Sequence, residues 1–326
     1  MKKNHIYQGD SLEVLKTFDS ESVDCCITSP PYFNLRDYLV EGQIGLEKTY
    51  QEYLSKLWAV FDEVKRVLKP EGTLFVNLGD TYAGGGYGID SNLDNTKQAT
   101  NKGTMESRLE IQQLRKNNKQ FSAKCLMLIP HRFSIGMIDR KWILRNTIPW
   151  IKPNAMPESV QDRWKKAHEY WFFFTKQRKY YFDLDSIRTP HKEVSVRRAE
   201  FEQGRNALGQ NESSLGDKSS EYGMPRRVVK LNEKGAVPPD YFIVNSNCSE
   251  GDVEKTHYAT YPQKLIEPLI MAGSTKGGTV LDPFSGWGTT CLVAKKLNRN
   301  YIGVDLNENY CKIAQERVDK TTPPLF

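Results

Sequence analysis

Leu281-Asp282-Pro283-Phe284-Ser285-Gly286-Trp287-Gly288-Thr289-Thr290 is an apolar run that breaks into a glycine turn and then into helix-forming sequence. A glycine turn at the carboxyl end of a parallel strand lets a ligand approach the backbone, and the N-terminus of the following helix favours anionic groups. Asp305, 17 residues beyond Gly288, closes the next strand, Ile302-Gly303-Val304-Asp305. A carboxylate there can accept both ribose hydroxyls of an adenosine-containing ligand. The dinucleotide fingerprint asks for a third glycine three residues after Gly288, and Cys291 stands at that position. This argues against NAD or FAD. Asp282 and Asp305, without a pyrophosphate loop, suit a ligand that carries positive charge beside its adenosine, as S-adenosylmethionine does.

Around this turn the C-terminal seventy residues are orderly. Tyr261-Pro262 precedes a helix to Ala272, Val280-Leu281 is a strand, and Tyr301 to Val304 is another, followed by a helix over Glu308 to Val318. The N-terminal part has the same character. His5 to Tyr7 reads as a strand, Asp10 or Ser11 caps a helix through Phe18, and Val23 to Thr28 is a buried-type strand. Thr49-Tyr50-Gln51-Glu52 is a capping box, and Tyr50, Tyr53, Leu54, Leu57, Phe61, Val64 and Leu68 share one helical face. Lys69-Pro70-Glu71-Gly72 ends that helix before a strand over Thr73 to Leu78. Strand–helix–strand with a buried second strand is a βαβ unit and predicts a parallel sheet. A helix over Cys125 to Ile138 and strands over Trp142 to Ile151, Glu169 to Thr175 and Tyr180 to Phe182 follow. The aromatic run Tyr170 to Phe174 reads as filling both faces of a buried strand. Two stretches lack a period: 83–122, read as a mobile loop, and 185–256.

Ile27-Thr28-Ser29-Pro30-Pro31-Tyr32 directly follows a buried-type strand. Two prolines fix the backbone and remove two N–H donors, leaving carbonyls free to accept. A hydroxyl before them and a ring after them suit an exocyclic amino group stacked on Tyr32. The plainer reading is a Pro-Pro turn carrying a surface tyrosine.

The 326 residues hold 46 Lys+Arg and 40 Asp+Glu, a net +6, and the 26% of charged residues is ordinary for a globular chain, which excludes global disorder. The charge is uneven. Lys97 to Lys152 carries twelve basic and three acidic residues, +9, leaving −3 elsewhere. That block is either a polyanion-facing surface or a solvated lysine-rich loop. Six cysteines without C-x-x-C, and five scattered histidines without H-E-x-x-H, argue against a metal site and a disulfide scaffold. No signal-peptide or membrane-spanning run is visible, so a soluble, cytoplasmic protein is expected, with no membrane partner.

Thr-Ser-Pro-Pro-Tyr near the N-terminus and Asp-Pro-Phe-Ser-Gly-Trp-Gly-Thr-Thr near the C-terminus together resemble the amino-methylating DNA methyltransferases. The order resembles their circularly permuted β group, in which the catalytic motif comes first and the cofactor motif last. Gly9-Asp10, Glu71 to Tyr82, Trp150-Ile151-Lys152-Pro153-Asn154, His168-Glu169 and His257 to Pro262 resemble family segments in the right order. Trp287 departs from the family, where many relatives carry a small residue.

The resemblance implies an α/β, Rossmann-like S-adenosylmethionine-dependent methyltransferase fold. It would have a largely parallel twisted sheet, a β-hairpin and an irregular target-recognition region. Residues 1–184 would form the catalytic part, 185–256 the target-recognition region and 257–326 the cofactor-binding part. Asp10 would approach the cofactor's adenine amino group, and Thr28 would belong to the cofactor site. Asp282, Phe284, Gly286, Gly288, Thr289 and Thr290 would line its methionine side, with Asp305 on the ribose. Ser29 and the Pro30 carbonyl, with Pro31 and Tyr32 completing the catalytic corner, would hold the target amine and stack the base. The base would have to leave the duplex. Lys152 would contact phosphate, and Arg197, Arg198, Arg226 and Arg227 would reach guanine edges.

Double-stranded DNA is thus the expected partner, with a homodimer and a cognate restriction endonuclease acting on the same site as further partners the resemblance allows. Ser29 points to cytosine N4, since adenine N6 enzymes more often carry Asp or Asn there. Adenine N6 is the alternative, followed by a non-catalytic nucleic-acid-binding relative. A nicotinamide-dependent oxidoreductase is disfavoured by Cys291.

Overall fold

The computed structural model describes residues 1–35, 37–38, 40–83, 121–207, 231–246 and 261–322, with side chains omitted for 202–207. They divide into two compact units, one of 1–183 with 240–326 and one of 184–239.

The first unit is organised around strand β2 (Val23–Thr28), buried at every position except Asp24. A strand that apolar needs cover on both faces, and helices supply it. With β1 (His5–Gln8), β3 (Leu68–Leu78), β4 (Ile143–Ile151), β5 (His168–Thr175), β6 (Phe242–Ile243), β7 (Thr279–Asp282) and β8 (Asn300–Asp305), the sheet order is β1-β8-β7-β2-β3-β5-β4-β6. Only β5 runs antiparallel to its neighbours, forming the hairpin with β4. Helices α1 (Ser11–Lys16), α2 (Tyr50–Val67) and α3 (Ile129–Asp139) cover one face through Leu15, Leu57, Phe61 and Phe133. Helices α5 (Gln263–Gly273), α6 (Thr289–Lys296) and α7 (Glu308–Asp319) cover the other through Leu265, Ile270, Val293 and Ala314. Phe172 and Phe174 of β5 join the first layer and Trp171 and Phe173 the second, as the alternation of a strand requires.

The caps lie where the side-chain chemistry puts them. Asp10 accepts from the Glu13 N–H at 3.1 Å, and Thr49 accepts from the Glu52 N–H at 3.2 Å.

The topology has one consequence for function. β7 pairs directly with β2, with Cys25 opposite Val280 and Cys26 opposite Leu281. From this boundary the β2–α2–β3 crossover runs one way and the β7–α6–β8 crossover the other. Their divergence opens a crevice at the carboxyl ends of the strands, the usual ligand position in such sheets.

Four expectations need correction. Lys69 to Gly72 lies inside β3 rather than between elements: Val23 pairs with Leu68 and Cys25 with Thr73, so the intervening residues bulge out of the ladder. α3 begins at Ile129, not Cys125, because Leu126 is held by a bridge to Tyr82 and Pro130 suits only a first turn. Tyr180 to Phe182 forms no strand. The Phe182 ring stacks on Phe173 at 5.5 Å, and Tyr180 meets the same ring edge-on at 5.7 Å.

In the second unit, Glu193–Ala207 is a helix, α4, that the missing apolar period concealed. Its residues are mostly good helix formers, and Arg197 pairs with Glu193 one turn away at 2.5 Å. Elsewhere in this unit, Thr189 and Ala236 exchange both backbone hydrogen bonds, and Asp185 holds Arg188 and Lys234, each at 2.7 Å. Of the two aperiodic stretches, 84–120, 208–230 and 247–256 lie outside the described residues, and so does the expected mobility of the first. No described helix is long and apolar enough to cross a membrane.

Candidate active site

The two sequence motifs meet where β2 and β7 end. Thr28 donates to Asp282 Oδ1 at 2.6 Å across 254 residues of chain. The other Asp282 oxygen accepts from Thr290 Oγ1 at 2.7 Å and the Tyr261 hydroxyl at 3.0 Å, and the Phe284 N–H reaches Oδ1 at 3.1 Å. Burial pushes this carboxyl above the ordinary aspartate range, and the four donors work against that rise. Asp282 is therefore a buried clasp between strands. It does not line the cleft, and neither do Thr28, Gly288 and Thr290. In sequence, Asp282, Gly288 and Thr290 flank the lining residues Phe284, Gly286 and Thr289, and Thr28 directly precedes the lining residue Ser29. Tyr261, which the sequence marked as preceding a helix and as part of a family-like segment, completes the clasp with hydrogen bonds to both Asp282 and Thr290.

Beyond the clasp, the chain turns through Gly286 (φ 48°) and Gly288 (φ 72°), left-handed conformations that glycine adopts without strain. A Cβ on Gly288 would come within 3.0 Å of the Ala314 Cβ on α7, so glycine also permits that close approach. A Cβ on Gly286 would meet nothing within 4 Å, because that residue faces open cleft. Asp305 closes β8 beside it. Its Oδ2 accepts from the Gly286 N–H and its Oδ1 from the Asn307 N–H, both at 2.8 Å. Each oxygen retains a lone pair for a ligand hydroxyl. Burial raises the Asp305 carboxyl too.

The cleft is about 950 Å³, its solvent-open mouth included. Asp10, Asp305, Phe284, Gly286 and Thr289 line it, joined by Asn307, the N-cap of α7, and Tyr310 in its first turn. Ser29 and Pro31 form its opposite margin, and Tyr38, Gln43 and Ile44 add a wall from the segment after β2. The acceptor pair at Asp305, the open face of Gly286 and the cleft size fit an adenosine-bearing cofactor.

At the Ser29 margin, side chains from β3, β5 and the segments that follow β2 and β4 converge. Asn77 of β3 donates through Nδ2 to the Tyr170 carbonyl at 3.1 Å, which orients Oδ1 toward Ser29 and Tyr32. Oδ1 lies 2.7 Å from the Tyr32 hydroxyl and 3.4 Å from Ser29 Oγ. The Tyr32 hydroxyl also lies 2.9 Å from Glu169 Oε2, and Lys152 pairs with Glu169 Oε1. Burial, with the Glu169 charge next, holds the Tyr32 phenol well above its usual range, so it remains a donor. A Cβ on Gly79 would come within 2.6 Å of the Tyr32 ring, so the ring lies against bare backbone. Pro30 is buried, and among the described residues its carbonyl takes no donor, whereas the Pro31 carbonyl accepts from Tyr53 at 2.8 Å.

The structure also revises the reading of Lys152. Its ammonium is paired with Glu169 and lies 4.1 Å from the Trp150 ring centroid, both partners of the ion pair being largely buried. That is an internal position, not a phosphate contact. Asn77 and Glu169 each stood in a predicted strand and in a family-like segment, and no sequence signal gave either a role at the site.

Arg197 and Arg198 lie on α4 of the second unit, whereas the residues that build the cleft all belong to the first. Arg226 and Arg227 lie outside the described residues. The described cysteines are all free. Burial raises the Cys25 thiol to about 12 and lifts Cys26 and Cys291 well above their usual range, so these three are packing groups rather than nucleophiles. No group of His, Cys, Asp and Glu among the described residues could hold a metal ion.

Comparison with known proteins agrees with this geometry. A family model for DNA methylases of the N6/N4 type matches residues 23–316. The chain is 36% identical over 318 residues to Type II methyltransferase M.XycI of Xanthomonas campestris pv. cyanopsidis, spanning 98% of this chain and 88% of that protein. Its fold matches the PvuII DNA methyltransferase (cytosine-N4-specific) with a TM-score of 0.60 at 20% identity, over 97% of this chain and 90% of that one. It also matches a DNA modification methylase-type protein of Thermus thermophilus, complexed with S-adenosyl-L-methionine, with a TM-score of 0.55 at 20% identity, over 98% and 95% of the two chains. With both family motifs joined at one crevice and the family model spanning most of its length, this chain belongs to the N6/N4 DNA methylases, which take their methyl group from S-adenosylmethionine.

Proposed function

We propose that the methylated group is N4 of cytosine, in a base turned out of double-stranded DNA. The observation that carries this reading is Ser29 set against Asn77. With its proton directed at Asn77 Oδ1, 3.4 Å away, the Ser29 hydroxyl keeps lone pairs for an incoming amine N–H. The free Pro30 carbonyl accepts the second N–H. A base amino group is a poor nucleophile because its lone pair is delocalised into the ring. Two acceptors holding its protons favour a pyramidal nitrogen with the lone pair directed into the cleft. Bound S-adenosylmethionine supplies an electrophilic methyl group there.

The rest of the work is positioning and electrostatics. Asp305 and Asp10 hold the adenosine end, and the Gly286 backbone admits the ligand. Tyr32, tied at its hydroxyl and resting on Gly79, gives a rigid face for the base. No covalent enzyme intermediate is involved, in keeping with the buried cysteines. The choice of cytosine N4 over adenine N6 rests on Ser29 being a neutral hydroxyl at the position where adenine N6 enzymes more often carry Asp or Asn; both bases present a ring nitrogen beside the amine, so the product decides between them.

Nucleoside mass spectrometry of DNA modified by the protein tests the reading. N4-methylcytosine is the expected product; N6-methyladenine without it would overturn the choice of base and leave the fold, cofactor and family unchanged. The recognition region is proposed to centre on residues 185–256, and the Type II relatives support a site-specific enzyme working beside a restriction endonuclease.

A further inference from the structure

The β4–β5 connection, 152–167, leaves the sheet at its carboxyl end, beside Lys152 and Glu169, and carries a net charge of +2. Internal bonds make it rigid. The Lys152 N–H donates to the Ala167 carbonyl at 2.8 Å, Lys165 Nζ to the Ala155 carbonyl at 3.3 Å, and Arg163 to Glu158 at 2.8 Å. Two side chains also fasten it to the segment after β3. The Arg163 guanidinium lies 4.2 Å from the Tyr82 ring centroid, and Lys166 donates to the Asp80 carbonyl. Asp80 directly follows Gly79, the residue on which the Tyr32 ring rests.

Between these two anchors stands Trp164, 94% exposed. Met156 of the same connection is 69% exposed. The other five tryptophans are buried or half-buried. A rigid connection that holds a tryptophan in water gains nothing for the free fold by doing so; an isolated indole with basic neighbours suits a surface that offers phosphates and flat base faces.

We propose that Trp164 is a stacking wedge for DNA: its indole enters the duplex beside the base being turned out and stacks on the faces that extrusion exposes. The fixed path from Trp164 through Lys166 and Asp80 to Gly79 and Tyr32 puts the wedge on the same side of the sheet as the target corner. Arg163 and Lys166 act as positioning residues, and exposed Lys165 meets phosphate. This rests on the reading of a base turned out of duplex DNA and is independent of which amino group is methylated.

The test uses the full-length protein and labelled duplexes cut from a plasmid region that the wild type methylates, located by methylation-aware sequencing. One duplex is fully paired; in the other the base opposite the methylated nucleotide is abasic, so turning out costs little. Trp164→Ala should lose roughly five- to a hundredfold in affinity and methylation rate on the paired duplex, the scale of one aromatic–base stack. On the abasic duplex the loss should shrink to about twofold, and Trp164→Phe should retain most of the wild-type rate on both. DNA should quench the wild-type tryptophan emission far more than that of Trp164→Phe. S-adenosylmethionine affinity, measured by calorimetry, should not change in either variant. Wild-type behaviour of Trp164→Ala on the paired duplex, or an equal loss on both duplexes, would overturn the wedge while the reaction stands. A wild-type protein that methylated no DNA would overturn the reaction and the wedge together.

Discussion

The two ends of the cleft are built differently. At the cofactor end, Asp305 holds the Gly286 and Asn307 N–H groups, so the geometry is set by a short glycine turn and the strand-end acid beside it. At the target end, Asn77 and Glu169 come from β3 and β5 and Ser29, Tyr32 and Lys152 from the segments that follow β2 and β4, and every hydrogen bond among them, apart from the one between Ser29 and Tyr32, joins different segments. The first end is a local structure carried by one motif. The second exists only once the sheet has assembled. Damage at the first should appear in cofactor affinity and at the second in the rate on DNA.

Ser29→Ala gives the largest separation. The methylation rate should fall about ten- to a thousandfold, the usual scale for one positioned hydrogen bond, with S-adenosylmethionine affinity unchanged in calorimetry. A parallel loss of cofactor affinity would mean the two ends are one energetic unit.

Asp305→Ala should do the converse. Two charge-assisted bonds to the ribose are lost and two backbone N–H groups are left without their acceptor, so cofactor affinity should fall on the order of a hundredfold. DNA affinity, measured by fluorescence anisotropy, should hold.

Glu169→Gln tests whether the target end works as a network. The Lys152 ion pair is lost while a hydrogen-bond acceptor for the Tyr32 hydroxyl is kept, so kcat/KM for DNA should fall about tenfold. Cofactor affinity again should not move. Recovery in a Lys152→Met, Glu169→Gln double variant would show that an unpaired buried ammonium, rather than the Tyr32 contact, caused the loss.

The smallest effect concerns pH. Burial raises Asp305 above its ordinary value of 3.8, so the folded protein takes up this proton more readily than the unfolded chain. As pH falls through the raised value toward 3.8, the contribution of Asp305 to stability therefore increases. Cofactor affinity moves the opposite way, because a protonated carboxyl loses an acceptor. Urea midpoints and calorimetry across this window, each compared with Asp305→Asn, should show the two opposite slopes. Slopes of the same sign would place Asp305 away from the cofactor.

Much of the cofactor end was legible in the sequence because its information is local. Gly286 and Gly288 mark positive-φ positions, Asp10 and Thr49 mark helix starts, and the strand-end acid follows at a fixed separation. Chain order even revealed the permutation, since the catalytic corner precedes the cofactor motif. Errors arose where a side chain's role depends on distant partners. Lys152 was read as a phosphate contact because nothing in its neighbourhood announces Glu169 across the hairpin. The partners that bury Asp282 have no local signature, because Thr28 and Tyr261 reach it only after β2 and β7 pair. Helix α4 escaped because it lacks the apolar stripe that normally reveals a helix.

The sequence by itself determined the alternation of strands and helices, the glycine turn, the neutral serine at the catalytic corner and the membership of the family. These follow from backbone preference and from side-chain chemistry at short range. Only the tertiary structure decided that Asp282 is a buried clasp, that Asn77 orients Ser29 and Tyr32, that Lys152 is held inward by Glu169 and that Trp164 stands in solvent. The reason is physical: burial and hydrogen-bond partnership are set by which strands become neighbours, and β2 acquires β7 across more than two hundred and fifty residues of chain.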